Sequence, residues 1–321
     1  GIEATSVVGP AGINLRADQS DIVLESVRAA SGTVSITADT GSIVGFAENN
    51  SPDVSATTVE MTAATGITGN SSTEALELSD NANVTASSTT GAIVLSGVGS
   101  LTLTDVVAGD GKIGVTAVDQ LTANNIQSLG DKDANDIRLT ATTGPLQITA
   151  VDAGNEGDVN LLSGSTIQAG SVTSDDLEAT AGSGITMGTS VTSIALNAGG
   201  AVSITETDGV RVNSATTTSG NMVLVAGASG EGQMIVGQIH SQGAVTLQSD
   251  RGGISDSAND SIVDITAGNT NVHLIARDGI GSDNNGAIEF ASGTSVTGSV
   301  TSAGNIGLQG VGSLTLASLS T

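Results

Sequence analysis

Residues 93–103 have the sequence IVLSGVGSLTL, and residues 306–316 have the sequence IGLQGVGSLTL. In each copy, large apolar residues recur at every second position on both sides of a glycine- and serine-containing segment. Alternation with a period of two is typical of a β-strand that buries one face, and glycine and serine favour turns. The stretch therefore predicts strand, turn and strand, and its recurrence predicts a fold built from repeats.

The motif within this stretch, an apolar residue, any residue and a second apolar residue, recurs along the whole chain. Between residues 13 and 101 its copies begin 8 to 16 residues apart, and glycine, asparagine, aspartate and serine fill the intervals. This spacing predicts many short strands separated by tight turns. Further copies are Ile13-Asn14-Leu15, Val34-Ser35-Ile36, Val59-Glu60-Met61, Ile137-Arg138-Leu139, Val202-Ser203-Ile204 and Val245-Thr246-Leu247.

A longer period is superimposed on the short one. The two copies of the opening stretch lie within longer similar segments, whose matching residues are 212 or 213 positions apart. A middle copy has Ile185 and Ile194 in the positions of Ile67 and Ile93, with 17 fewer residues between them. Because a stack of coils can lose one coil cleanly, we interpret the difference as a lost coil. The long repeats start near residues 13, 93, 194 and 306.

The residues available for a core are small and aliphatic. The 321-residue chain has 44 glycines, no Cys, Trp or Tyr, and only Phe46 and Phe290 as aromatic residues. Immunoglobulin-like sandwiches and propeller blades normally bury aromatic residues in each unit, so both alternatives fit poorly. Short strands and stacked small aliphatics favour coils of about 20–25 residues. We predict an all-β, right-handed parallel β-helix of roughly 13–16 coils, running as one continuous segment over residues 1–321.

The charge balance restricts the partners. Thirty-three acidic residues against 8 basic ones give a net charge of −25. Because phosphate contacts need clustered lysine and arginine, we expect no nucleic-acid partner. No apolar run approaches about 18 residues, so we expect no membrane insertion. Residues 1–10 lack the basic and apolar regions of an export signal, and we expect the chain to be a fragment whose export signals lie elsewhere.

Several strings carry a family resemblance. They are Thr-Gly-Ser-Ile at 40–43, Gly-Ser-Leu-Thr-Leu at 99–103 and 312–316, Ile-Thr-Glu-Thr-Asp-Gly-Val at 204–210 and Ala-Arg-Asp-Gly-Ile-Gly at 276–281. In them the chain resembles the repeats of filamentous-haemagglutinin-type adhesins and of the giant β-strand-repeat surface proteins of environmental bacteria. The resemblance extends along the whole chain, in its composition and its repeat pattern. It implies a right-handed β-helix with an adhesive, scaffolding or filament role outside the cell. The haemagglutinin repeat is more regular than the one here.

The sequence does not favour catalysis. Polysaccharide lyases and hydrolases also use β-helices, but they need stacking aromatics, paired carboxylates and basic residues that hold acidic sugars. The eight basic residues of this chain are scattered, and we expect no enzyme and no catalytic or cofactor-binding residue. His240 and His273 are too isolated for a zinc site. His273 occupies the polar position of an alternating strand and is expected to face outward.

Calcium is the one ligand that the local sequence suggests. Asp131, Asp133 and Asn135 place oxygen ligands at alternating positions, as calcium loops do, and they are our candidate metal ligands. The rest of the EF-hand pattern is absent, because the sixth position is Asp136 and the twelfth is Thr142. Two further acidic turns are weaker candidates: Asp152, Asn155, Glu156 and Asp158 in one, and Asp256, Asp260 and Asp264 in the other.

These features together predict a structural role. We expect a repeat segment of a large extracellular or cell-surface bacterial protein that acts as a rod, stalk or filament. Its expected partner is a second copy joined end to end, or further coils of the same chain. One alternative is a glycan- or cell-binding module that uses loops around residues 44–58, 124–136 and 226–233. A polysaccharide-active enzyme is the third.

Overall fold

The structure is a computed structural model that describes residues 1–46, 51–71, 73–258, 260, 262–268, 271–281 and 286–321. Strands make up 60% of it, and these ranges contain no helix. The chain divides into two compact units, Gly1–Asp175 and Asp176–Thr321. Each unit is a parallel β-solenoid, and the two contain about 15 turns. The predicted parallel β-helix and its number of coils are confirmed. The single continuous segment and the starts of the long repeats stay predictions.

Most strands that begin in the first unit are short, and β20 is the longest of them. The strands are β1 (Ile2–Ala4), β2 (Val7–Gly9), β3 (Ile13–Ala17), β4 (Ile22–Leu24), β5 (Val27–Ala29), β6 (Thr33–Ala38), β7 (Ile43–Gly45), β8 (Val54–Ser55), β9 (Thr58–Ala63), β10 (Ile67–Thr68), β11 (Leu76–Leu78), β12 (Ala82–Ser88), β13 (Ile93–Gly97), β14 (Leu101–Ala108), β15 (Ile113–Ala117), β16 (Leu121–Ser128), β17 (Ile137–Ala141), β18 (Leu146–Asp152), β19 (Val159–Ser163) and β20 (Ile167–Ala181).

The second unit continues with strands of similar kind. They are β21 (Ile185–Ala198), β22 (Val202–Glu206), β23 (Val210–Thr217), β24 (Met222–Ala226), β25 (Met234–Ser241), β26 (Val245–Ser249), β27 (Ile254–Asp256), β28 (Ile265–Ala267), β29 (Asn271–Ala276), β30 (Ile288–Ala291), β31 (Thr294–Val300), β32 (Leu308–Val311) and β33 (Leu314–Ser320).

Buried columns of aliphatic residues form the core of the first unit. Each strand pairs in parallel with the strand one coil further on, so equivalent side chains lie above one another. Isoleucine suits such a column because its branched side chain packs well on a pleated surface. Successive members are 20 to 26 residues apart in the sequence, and each is at most 1% exposed. One column consists of Ile22, Ile43, Ile67, Ile93, Ile113 and Ile137.

The second unit has the same construction with more variable coils. One column consists of Ile185, Val202, Met222, Val245, Val272 and Val296. Ile185 and Ile194 lie on the same strand, β21, and Ile185 pairs with Val202 in the next coil. The nine-residue spacing thus lies within one strand, whereas Ile67 pairs with Ile93 on the next coil. That the middle copy has lost a coil stays a prediction.

No helix of the described ranges is long and apolar enough to cross a membrane.

Candidate functional site

The predicted calcium ligands lie in the turn between β16 and β17. Asp131 and Asp133 are exposed, whereas Asn135 is buried, with 3% of its surface accessible. β16 extends through Ser128, so the first part of the loop predicted at 124–136 is strand and only the remainder forms the turn.

Asp131 fastens this turn to the turn of the next coil. Its Oδ1 accepts hydrogen bonds from the backbone N–H groups of Asn155 at 2.7 Å and of Glu156 at 2.8 Å. These hydrogen bonds favour the charged carboxylate and hold the pKa of Asp131 below its usual range. The second acidic turn of the sequence thus meets the first through its backbone. In this contact Asp131 has a structural role.

Asn135 belongs to a neighbouring network. Its Nδ2 donates to the Oδ1 of Asp110 at 3.1 Å and to the carbonyl oxygen of Gly130. The Nζ of Lys132 forms an ion pair with the same Asp110, and its hydrogen bond lowers the pKa of that carboxyl. None of these contacts tests whether calcium binds, so calcium binding by Asp131, Asp133 and Asn135 stays a prediction.

The third acidic turn is brought together with a residue that the sequence did not point to. One carboxylate oxygen from each of Asp256, Asp264 and Glu289 lies within 4.8 Å of the other two. Their exposed fractions are only 1%, 6% and 2%. Asp260, the other member of the predicted turn, is exposed. We call Asp256, Asp264 and Glu289 the carboxylate cluster.

Strand positions and backbone hydrogen bonds hold the residues of the carboxylate cluster in place. Asp256 ends β27, and its Oδ1 accepts a hydrogen bond from the N–H of Ala258 at 3.0 Å. Asp264 precedes β28, and its Oδ2 accepts the N–H of Glu289 at 2.9 Å. The carbonyl oxygen of Glu289 accepts the N–H of Asp264 at 3.1 Å in return. The backbone therefore fixes the carboxylate of Asp264 beside the strand that carries Glu289.

Burial and mutual repulsion disfavour the simultaneous ionisation of all three carboxylates in the cluster. Burial raises the pKa of Asp264 to about 8, and the charges of Asp256 and Glu289 act in the same direction. Burial also raises the pKa of Glu289, as do the charges of Asp256 and Asp260. The Oε2 of Glu289 is fully buried and has no hydrogen-bond partner within the described ranges. An orphaned buried carboxylate oxygen is costly, so this position favours a proton or a cation.

The first unit contains a related pair of carboxylates. Asp53, 2% exposed, precedes β8, and its Oδ2 accepts the N–H of Glu77 at 2.9 Å. Burial raises the pKa of Asp53 to about 6. Glu77 and Glu289 are equivalent in the long repeat, 212 residues apart. The first unit, however, ends β7 with Gly45 where the second unit ends β27 with Asp256.

The insertion predicted at 226–233 borders an open groove. The volume of the groove is about 650 Å³, and it is lined by Ser229, Gly230, Glu231, Gly232, Gln233, Arg251, Gly252, Arg277 and Asp278. The Nη1 of Arg251 donates to the carbonyl oxygen of Ser229 at 2.8 Å, and the Nε of Arg277 lies 3.4 Å from the Oδ1 of Asp278. Two of the eight basic residues therefore meet at one concave surface. Of the insertion at 44–58, residues 47–50 lie outside the described residues.

The two histidines are both exposed, as the alternation predicts for His273. The Nδ1 of His273 contacts the Oγ1 of Thr297 on the neighbouring coil, and the Nε2 of His240 lies 3.3 Å from Gln242. These are contacts between exposed side chains of the coils.

The comparisons with known proteins add no relative. No family model matches the chain, and neither a curated protein nor a solved structure is similar enough to count as a match. The resemblance to haemagglutinin-type adhesins therefore has no support from related proteins. What is established is a parallel β-solenoid repeat protein.

Proposed function

We propose that this chain is a structural repeat segment of a large extracellular or cell-surface bacterial protein, and that it acts there as a rod, stalk or filament. The observation that carries the proposal is the in-register parallel ladder within each unit. Each coil binds its neighbours through backbone hydrogen bonds and buried aliphatic columns. Such an architecture gains length by adding coils and needs no new core for each addition.

The outward positions of the strands suit a surface that faces water. In β12, for example, Asn83, Thr85 and Ser87 alternate with buried residues. A net charge of −25 makes copies of the chain repel one another side by side. Lateral aggregation, the usual hazard of β-sheet proteins, is thereby opposed.

Strand β33 is the contact that we assign to a second copy of this chain. It pairs with β31, and its apolar side chains Leu316 and Leu319 are 52% and 43% exposed. Exposed strand edges readily pair with another strand, and the apolar side chains add a hydrophobic contribution. We therefore propose association in which coils of one copy continue the ladder of another.

Negative-stain electron microscopy combined with light scattering tests both parts of this proposal. We expect elongated particles that lengthen as the protein concentration rises. Replacing Leu316 and Leu319 by lysine should shorten the assemblies, because it places two charges on the contact. Val118→Lys, at a residue 44% exposed in the first unit, is the matched control and should leave assembly unchanged. Compact particles would refute the rod, and monomers at every concentration would refute the end-to-end contact.

A second candidate function is the binding of acidic glycans. The groove at residues 229–233 favours it, because Arg251 and Arg277 meet there on an otherwise acidic protein. Arginine binds carboxylate and sulfate groups through paired hydrogen bonds. A panel of acidic polysaccharides should then bind the wild type, and Arg251→Ala with Arg277→Ala should abolish binding. Arg138→Ala, at an exposed residue of β17, controls for the loss of positive charge. Binding that survives the double substitution would exclude the groove.

A further inference from the structure

The carboxylate cluster differs from the related pair in the first unit by one residue, and that residue is a third acid. Gly45 at the end of β7 and Asp256 at the end of β27 hold equivalent places beside Asp53 and Asp264. A Cβ at Gly45 would lie 2.5 Å from the Oδ2 of Asp53, so this place points at the buried aspartate. The second unit therefore has a carboxylate at the position where the first unit has Gly45.

Three buried carboxylates repel one another when all of them are ionised. All three residues are at most 6% exposed. The charges of Asp256 and Glu289 raise the pKa of Asp264, the charges of Asp256 and Asp260 raise the pKa of Glu289, and a side-chain hydrogen bond joins Asp264 to Glu289. Adding a third acid to such a site raises the repulsion. A proton or a cation lowers this repulsion, and a divalent cation offsets more than one of the charges.

The geometry fits a single calcium ion. Calcium takes carboxylate oxygens at about 2.3–2.6 Å, so two oxygens on one ion lie at most about 5 Å apart. One oxygen of each member of the carboxylate cluster meets this limit, since all lie within 4.8 Å of one another. The Oε2 of Glu289 is buried and has no hydrogen-bond partner in the described part of the chain, and a bound cation would satisfy it.

We propose that Asp256, Asp264 and Glu289 form a calcium site in the second unit, and that the Asp53–Glu77 pair of the first unit is its metal-free counterpart. The ion neutralises the three carboxylates and joins β27, the segment before β28, and β30. β27 and β28 both pair with β25 and belong to one coil, whereas β30 pairs with β28 from the next coil. The bound ion therefore links one coil to the next. The site goes beyond the structural role proposed above, which does not depend on it.

Titration calorimetry with calcium chloride on the metal-stripped full chain tests the site. We expect one site per chain that Asp256→Asn and Glu289→Gln each weaken about tenfold or more, since each removes a charged ligand. Glu77→Gln is the matched control in the first unit and should change calcium affinity less than about twofold. Asp256→Gly reproduces the residue that the first unit has, and it should weaken binding at least as much.

Thermal unfolding followed by circular dichroism provides a second measurement, since the chain has no Trp or Tyr for fluorescence. Calcium should raise the melting temperature of the wild type and of Glu77→Gln but not of the cluster variants. In chelator, Asp256→Asn should melt at or above the wild type, because it removes a repulsive charge. That result also shows that the variant folds.

Two results would overturn the site. A folded wild type that shows neither heat nor a melting shift in millimolar calcium would mean that the carboxylates share protons instead. Calcium binding that Asp256→Asn, Asp256→Gly and Glu289→Gln all leave intact would place the ion elsewhere, for example at Asp131 and Asp133.

Discussion

Glu206 ends β22 with 1% of its surface exposed, and the backbone surrounds its carboxylate with donors. Its Oε1 accepts the N–H groups of Val191, Thr207 and Asp208 at 3.3, 2.9 and 3.4 Å. Burial nevertheless raises the pKa of Glu206 to about 7, and the charge of Asp208 adds to the rise. At neutral pH this residue therefore stabilises its turn less than its hydrogen bonds suggest.

The raised pKa of Glu206 predicts a pH-dependent effect of substitution. Between its usual pKa and about 7, the folded chain holds a proton at Glu206 that the unfolded chain has lost. The stability contributed by this group is thus present at low pH and is lost as pH rises through about 7. Glu206→Gln cannot lose a proton, so its stability relative to the wild type should rise from pH 5 to pH 8. Urea unfolding followed by circular dichroism measures the difference.

Glu206→Ala provides the contrast to that substitution. It removes the acceptor of the three N–H groups and should cost about 1–3 kcal/mol at pH 5. Parallel stability curves for Glu206→Gln and the wild type would contradict the assigned pKa.

A comparison of two glycines with the same φ angle distinguishes the cost of backbone strain from the cost of a steric clash. Gly91 and Gly293 both have φ of 87°, in the left-handed region. A Cβ at Gly91 would collide with the carbonyl oxygen of Thr65, whereas a Cβ at Gly293 would meet nothing within 4 Å. Gly293→Ala should therefore cost about 1 kcal/mol, and Gly91→Ala about 3 kcal/mol. Equal losses in chemical denaturation would mean that the turn at Gly91 shifts freely.

At the scale of the element, the alternation along β15 determines how much each valine contributes to the stability of the fold. Val115 is 1% exposed and stacks between Leu95 and Leu139 on neighbouring coils. Val118, just beyond the strand, is 44% exposed. Val115→Ala should cost about 2 kcal/mol and Val118→Ala less than about 0.5 kcal/mol. The midpoints of urea unfolding compare the two, and similar shifts would show that the ladder does not exclude water from the column.

The elements were predictable because their signals are local. Val34-Ser35-Ile36 forms the centre of β6 with its apolar residues buried, as the alternation predicts. The coil count followed from the strand spacing. The sequence did not show that Ile185 and Ile194 share one strand, because sequence distance does not say where a strand ends. In β21 the strand continues through Thr189 and Ser193, polar residues that are buried, and the alternation breaks at Ser193 and Ile194, which are both buried.

The sequence indicated two of the three residues of the carboxylate cluster. Asp256 and Asp264 stood out as an acidic turn. Glu289 did not, because the alternation of Ile288, Glu289 and Phe290 predicts an outward position for it, where an acidic residue is ordinary. The correspondence of Glu77 with Glu289 across the long repeat was the available signal. In the fold, Asp264 of the preceding coil accepts the N–H of Glu289, a contact that the local sequence does not encode.

At the scale of the whole molecule, charge repulsion should control stability. The net charge is −25, and the four ion pairs of the described residues join mostly exposed side chains. Exposed pairs contribute little, while repulsion among the acidic residues is screened by salt. The melting temperature should therefore rise between 10 mM and 500 mM sodium chloride. A fall over that range would mean that the ion pairs outweigh the repulsion.

The sequence by itself determined the all-β class, the period of the strands and the places of the turns, because alternation and glycine act within a few residues. Only the tertiary structure decided which residues meet on neighbouring coils. Coils of the Ile22–Ile137 column differ in length from 20 to 26 residues, so a partner one coil away has no fixed sequence offset. The meeting of Glu289 with Asp256 and Asp264 depends on that pairing.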